Sequence, residues 1–263
     1  MEMKPNRIIT FDLDGILINS EGLHNEAFFH ALDRVGVDLP SNLQSQDGWV
    51  GVSTRRDVLG EDFEVLSTSA KLDFFGISNP STRDLVKKSK DLIFADLIPK
   101  IKFNPFLAVD LARLKESGAF IAVVTNGTRP NLELILEMIG LSTQSSINTL
   151  SVISPMGIRL QGSANWHLPM HLGLPHNAAG HTPTKPAPDL YKSVAIVLQA
   201  RLYHRYKLQT SEVLPWYALE DSPSGIQAIR AACQSLQPDL PPIINPILTD
   251  YATTQERLRS CAL

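Results

Sequence analysis

The stretch Ile8-Ile9-Thr10-Phe11-Asp12-Leu13-Asp14-Gly15-Ile16-Leu17-Ile18-Asn19-Ser20-Glu21 decides how the rest of this chain is read. Ile8 to Phe11 are apolar or β-branched, the signature of a short buried strand. Two carboxylates two positions apart, Asp12 and Asp14, stand where that strand stops, and Gly15 lets the chain turn away. In an open α/β sheet ligands bind beyond the carboxyl ends of the strands, so both carboxylates would lie at the mouth of such a site. Carboxylates this close repel each other, and a hard cation such as Mg²⁺ or a shared proton relieves the repulsion. A solvated Asp pair in a strand-to-loop turn has the same spacing, so the other motifs must separate the two readings.

The 263 residues suffice for one large domain or two of unequal size with a sizeable core. A net charge of -3 and a pI near 6.2 give no electrostatic footprint for nucleic acid or an acidic membrane. Cys233 and Cys261 are the only cysteines, which offers neither a disulfide framework nor a paired metal knuckle and fits a reducing compartment. Met1 to Arg7 lead into the first strand without an apolar signal core, and no run of about 18 apolar residues occurs. A soluble, cytoplasmic protein is expected.

After Glu21 the period changes. Leu23, Ala27, Phe28, Ala31, Leu32 and Val35 fall at helical spacing and Gly36 closes the run. Helical segments dominate to about Ile98, and over Arg83 to Ile98 the residues Leu85, Val86, Leu92, Ile93 and Leu97 predict one apolar stripe. From Phe106 helix and strand alternate: a helix to Lys115, the apolar run Ala119 to Thr125, a turn at Asn126-Gly127, and a helix lined by Leu132, Ile135 and Met138 up to Gly140. A weaker strand follows near Leu150 to Ile153. Further on come a helix from Leu190 to about Tyr206, a strand at Trp216 to Leu219, a helix from Gly225 to Cys233 and a last strand at Ile243 to Leu248. This alternation predicts an α/β fold: a mostly parallel, Rossmann-like sheet with helices on both faces, plus an inserted helical domain. The expected division is a catalytic core at 1–18 and 99–263 and a helical cap at 19–98.

Between Pro155 and Pro188 the period is lost and Pro and Gly accumulate, so 155–184 reads as an irregular loop within the core. It holds His167, His171, His176 and His181 at spacings of 4, 5 and 5. Imidazole is a common zinc ligand, but no Cys accompanies them and a solvated loop explains them equally well.

Three further motifs share the placement of Asp12, each directly after a core strand or at the entry to a helix. Thr125-Asn126 offers a hydroxyl and an amide. Lys185 stands in Lys185-Pro-Ala-Pro-Asp-Leu-Tyr191 ahead of a helix, and Glu220-Asp221-Ser222 follows a strand and precedes another helix N-terminus. Singly these are ordinary turn, surface and N-cap residues. Together they supply carboxylates for a hard cation, a hydroxyl and a lysine for phosphate oxygens, and a carboxylate nucleophile, the set that phosphoryl transfer needs.

With Asp12-Leu-Asp-Gly15, Thr125-Asn126, Lys185-Pro-Ala-Pro-Asp189 and Glu220-Asp-Ser-Pro-Ser-Gly225 in that order, the chain resembles the haloacid dehalogenase-like (HAD) superfamily of hydrolases over about 1–18 and 100–248. The resemblance implies that Asp12 attacks phosphorus, that Asp14 serves as general acid and base, and that Thr125 and Lys185 bind the transferring phosphate. It implies Mg²⁺ held by Asp12, the main-chain carbonyl of Asp14 and Asp221, with Glu220 beside it, and Asn126 orienting substrate. Ser20-Glu-Gly-Leu-His24 and Gly51-Val-Ser-Thr-Arg55-Arg56 resemble the cap entry and cap loop of sugar-phosphate phosphatases and of β-phosphoglucomutase, which nominates His24 and Arg55 as substrate contacts. Both also fit ordinary surface positions. The expected partner is a small phosphorylated metabolite, with no role for nucleic acid or membrane. The chain departs from the family at Pro105-Phe106-Leu107, at Ile16 and in its longer segment before Lys185. The implied activity is that of a Mg²⁺-dependent phosphatase; a β-phosphoglucomutase-type mutase and an idle domain that binds a protein are the alternatives.

Overall fold

The computed structural model describes residues 5–38, 59, 63, 66–141, 151–160, 165–206, 214–236 and 244–260. The apolar runs become strands of one seven-stranded sheet. Its parallel part is β1 (Arg7–Phe11), β4 (Ala119–Val124), β5 (Ser151–Ser154), β8 (Trp216–Glu220) and β9 (Ile244–Leu248). The order is β7-β6-β5-β4-β1-β8-β9, in which β6 (Gly157–Arg159) and β7 (Trp166–His167) run antiparallel. All six residues of β4 are buried, as a parallel strand covered on both faces requires. The chain leaves β1 for β4 and β5 on one side and returns to β8 and β9 on the other. The connections therefore diverge between β1 and β8, where an open α/β sheet leaves its crevice.

Four flanking helices are those the 3.6-residue period predicts, α4 (Leu107–Glu116), α5 (Arg129–Met138), α6 (Asp189–Tyr206) and α7 (Pro223–Leu236), and a further one, α8 (Tyr251–Ser260), follows the last strand. The apolar faces of α6 and α7 meet the sheet in a core that includes Ile8, Phe120, Leu190, Trp216 and Ile229. Trp216 is fully buried, and its indole N–H donates to the Thr10 hydroxyl at 3.1 Å, so the β8–β1 pair carries no unsatisfied donor at that point.

The chain divides into two compact units, Met1–Ile18 with Phe103–Leu263, and Asn19–Lys102. Short strands β2 (Ile18–Asn19) and β3 (Lys102–Phe103) carry the chain out of the first unit and back. The second unit is helical, with α1 (Glu21–Val35), α2 (Thr68–Phe74) and α3 (Pro80–Leu97). Gly36, at φ 73°, ends α1 in the left-handed conformation, and Asn79 caps α3 by accepting from the Thr82 N–H. The unit's interior is aromatic: Phe28, Phe29, Phe63 and Phe75 pack with ring centroids 5.5–6.4 Å apart.

Two local expectations change. The buried face of α3 is Val86, Phe94 and Leu97, whereas Leu85 and Leu92 are 55 % and 62 % exposed. In the segment 155–184, expected to be irregular, β6 and β7 extend the sheet. Ser154 Oγ donates to the Gly157 carbonyl and accepts from its N–H, which tightens the reversal into β6. No helix among the described residues is long and apolar enough to cross a membrane.

Candidate active site

Asp12 is the first residue past β1, and its N–H donates to the Leu219 carbonyl at 3.0 Å, prolonging the β1–β8 ladder by one step. That step sets Asp12 beside the end of β8, from which Glu220 and Asp221 project. Gly15, at φ 72°, turns the chain so tightly against this end that a Cβ there would overlap the Asp221 carboxylate. Gly225 opens α7 under the same constraint, since a Cβ on it would overlap the Glu220 carboxylate. Both motif glycines are thus demanded by the close approach of a carboxylate.

On the other side of β1, Thr125 follows β4 and is buried, its Oγ1 accepting from the Gly127 N–H at 2.9 Å. Asn126 does something its sequence role does not suggest: its Oδ1 accepts the Lys185 N–H at 2.9 Å, which ties the loop before α6 to the end of β4. Lys185 then reaches inward, 95 % buried, with its Nζ 3.1 Å from Asp12 Oδ1 and a short hydrogen bond to Glu220 Oε1. The same Glu220 oxygen accepts a short hydrogen bond from the Tyr191 hydroxyl, and Ser222 Oγ donates to Oε2 at 3.4 Å.

Two carboxylates, Asp12 and Glu220, meet this one ammonium, and the charges of Asp221 and Asp14 also act on Asp12. Burial, and after it the charges of Glu220, Asp221 and Asp14, push the Asp12 carboxyl well above the usual carboxylate range, against the pull of Lys185. Burial alone would lower Lys185, but Asp12 and Glu220 outweigh it and hold the ammonium above its ordinary value. Burial first, then Glu220 and Asp12, raise the Tyr191 phenol well above normal, so it stays a hydrogen-bond donor. Asp12, Glu220 and Asp221 each offer an oxygen within 4.8 Å of the others, and they form the only such group of three among the described residues. An all-oxygen, anionic donor set left short of positive charge fits a hard divalent cation. The loop histidines 167, 171, 176 and 181 belong to no group of this kind.

The structure thus brings together Asp12, Asn126, Lys185, Glu220 and Asp221, with Asp14 two residues along the loop and Thr125 at the end of the neighbouring strand. His24 lies on α1 of the helical unit, where its ring stacks on Phe94 at 3.8 Å and its Nδ1 lies 3.3 Å from Lys90 Nζ. Arg55 and the rest of the Gly51–Arg56 stretch lie outside the described residues. Tyr191 is the participant sequence reasoning missed. It sits six residues after Lys185, next to Leu190 at the start of a helix, and looks like core; the signal was that a buried phenol needs an acceptor.

The profile of haloacid dehalogenase-like hydrolases matches residues 9–149, more than half of the chain. The chain belongs to this family. It is 23% identical over 241 residues to the plasmid CbbY protein of Cupriavidus necator, covering 90% of this chain and 77% of that protein. Among solved structures it is similar to a variant of CbbY from Rhodobacter sphaeroides in complex with xylulose-(1,5)bisphosphate, with a TM-score of 0.51, 20% identity, and 92% and 87% of the two chains covered. The β-phosphoglucomutase of Clostridium difficile gives a TM-score of 0.50 at 16% identity, with 98% and 99% covered. At these identities the solved structures speak for the haloacid dehalogenase-like fold alone. The sheet and inserted helical unit described above agree with it.

Proposed function

We propose that the protein is a Mg²⁺-dependent phosphohydrolase that releases phosphate from a small phosphomonoester, a sugar phosphate, through an aspartyl-phosphate intermediate. The observation that carries this reading is the buried ammonium of Lys185, bound to Asp12 and Glu220 at the carboxyl edge of the sheet with Asp221 alongside. A phosphoryl group adds negative charge to a place already crowded with carboxylates, and one lysine cannot neutralise it. Asp12, Asp221 and the main-chain carbonyl of Asp14 would hold Mg²⁺, with Glu220 beside them. Bound there, the ion would screen the nucleophile from the phosphoryl oxygens and keep Asp12 ionised.

In this reading an Asp12 carboxylate oxygen attacks phosphorus, the bond from phosphorus to the ester oxygen breaks, and the Asp14 carboxylic acid gives its proton to the departing oxygen. Water then attacks the same phosphorus and passes a proton to the Asp14 carboxylate. The bond between phosphorus and the Asp12 oxygen breaks, which frees inorganic phosphate and restores both side chains. The Thr125 hydroxyl and Lys185 ammonium bind the transferring oxygens, and Asn126 acts by holding the Lys185 loop. The helical unit is the cap that supplies substrate contacts, His24 and Arg55 among them. The complex of the Rhodobacter sphaeroides CbbY variant with a sugar bisphosphate supports the substrate class.

The test is phosphate release from a panel of phosphorylated metabolites with Mg²⁺, including β-glucose 1-phosphate with a trace of the 1,6-bisphosphate. Release from at least one sugar phosphate is expected. Rapid glucose 6-phosphate with little free phosphate would replace the phosphatase by a mutase, and no turnover of any ester would contradict both.

A further inference from the structure

The loop that carries Asp14 is closed on itself on one side. Gly15 N–H donates to the Ile18 carbonyl at 2.9 Å, and the Leu17 and Ile18 N–H groups both donate to the Leu13 carbonyl, at 3.0 and 3.1 Å. Leu13, Ile16, Leu17 and Ile18 are fully buried. The Ile16 carbonyl points the other way, and a residue 239 positions further along the chain meets it: Gln255 Nε2, on α8, donates to it at 3.2 Å in a buried environment. Gln255 is itself 98 % buried, and its Oε1 has no hydrogen-bond partner among the described residues. A carboxamide that is taken out of water and satisfied on only one side is a poor stabiliser of α8. Its placement makes sense through the one bond it does form, since a buried carbonyl in a tight turn requires a donor.

We propose that Gln255 is a positioning residue for Asp14: by holding the Ile16 carbonyl from α8, it fixes the turn that aims the Asp14 carboxyl at the ester oxygen. The proposal rests on the reading of Asp14 as general acid. Gln255 touches no reacting atom and acts only through the loop 13–18. Its loss would therefore hurt the step that needs a well-aimed proton, departure of a basic leaving group, and spare departure of an acidic one.

The test compares wild type with Gln255→Met, which keeps the length and loses the donor, and Gln255→Asn, which keeps a carboxamide one methylene too short. The probes are p-nitrophenyl, phenyl and benzyl phosphate, three esters of similar size with increasingly basic leaving groups. Because kcat/KM reports steps up to leaving-group departure, both variants should lose about tenfold in kcat/KM on benzyl phosphate, part of the 10²–10⁴ that a well-placed acid contributes. On p-nitrophenyl phosphate the loss should stay within about threefold. Hydrogen exchange of the Leu17 and Ile18 amides should rise at least tenfold in both variants, with the β4 amides unchanged, and this readout needs no activity. Equal losses on all three esters, or unchanged exchange in 13–18, would overturn the proposal. Asp14→Asn on the same esters separates the two ideas: if it shows no leaving-group dependence while the loop exchange of the Gln255 variants rises, Asp14 is not the acid and the tether stands as a structural contact only.

Discussion

At the scale of the residue, the site depends on how Glu220 is shared. Its Oε1 takes both Lys185 and Tyr191, so the ammonium that faces Asp12 is aimed by a carboxylate that has no freedom to turn. Tyr191→Phe removes one of the two donors to Glu220 Oε1, a loss of about 1.5–3 kcal/mol. It should lower both the stability read by urea denaturation and kcat/KM on p-nitrophenyl phosphate, the latter by about tenfold. Gly225→Ala should be harsher, since its methyl group would occupy the Glu220 carboxylate's place. A loss of about a hundredfold in kcat/KM, about 3 kcal/mol in the barrier, is expected with the far-UV spectrum unchanged. Asp12, Thr125, Glu220 and Asp221 are legible in the sequence because each stands where an apolar run, and with it a parallel strand, ends, and Lys185 because it stands in a Pro-rich entry to a helix. Tyr191 and Gln255 are not, because their parts are defined by partners 29 and 239 positions away, Glu220 and Ile16.

At the scale of the element, the helical period and the strand runs give nearly every core segment its type, and the misreadings have specific causes. In α3, Leu85 with Leu92 and Val86 with Ile93 make two overlapping stripes one residue apart, and period alone cannot choose between them. The aromatic cluster around Phe28 and Phe63 takes Val86 with Ile93 beside it, and the buried Phe94 stacks on His24 of α1, which selects that face. Phe94→Ala should accordingly cost about 3–5 kcal/mol, while Leu92→Ala should stay within about 0.5 kcal/mol. Chemical denaturation of the two variants checks this; similar costs would return the stripe to Leu85 and Leu92. The strands β6 and β7 are three and two residues long, too short for an alternating pattern among the Pro and Gly of 155–184. They exist because β5 offers an edge, Ile158 is buried against it, and the Trp166 ring meets the guanidinium groups of Arg129 and Arg159 at 5.7 and 5.8 Å.

At the scale of the whole molecule, a sheet whose connections diverge between β1 and β8 gathers Asp12, Glu220 and Asp221 from distant parts of the sequence onto one edge, and the net charge of -3 says nothing of that local excess. Chelation of divalent cations should therefore abolish turnover, and Mg²⁺ should restore it, with Asp221→Ala needing far more of the ion; equal rates with and without EDTA would remove the metal from the mechanism. The central claim is that Asp12 itself receives the phosphoryl group. Its most direct test is to quench the enzyme during turnover of p-nitrophenyl phosphate with Mg²⁺, reduce with borohydride, and sequence the peptide around position 12 by mass spectrometry. Covalent catalysis by Asp12 predicts homoserine in its place, present only when substrate and Mg²⁺ are both added. An unmodified Asp12 in an enzyme that is turning over, or a phosphoryl group trapped on another residue, would contradict it.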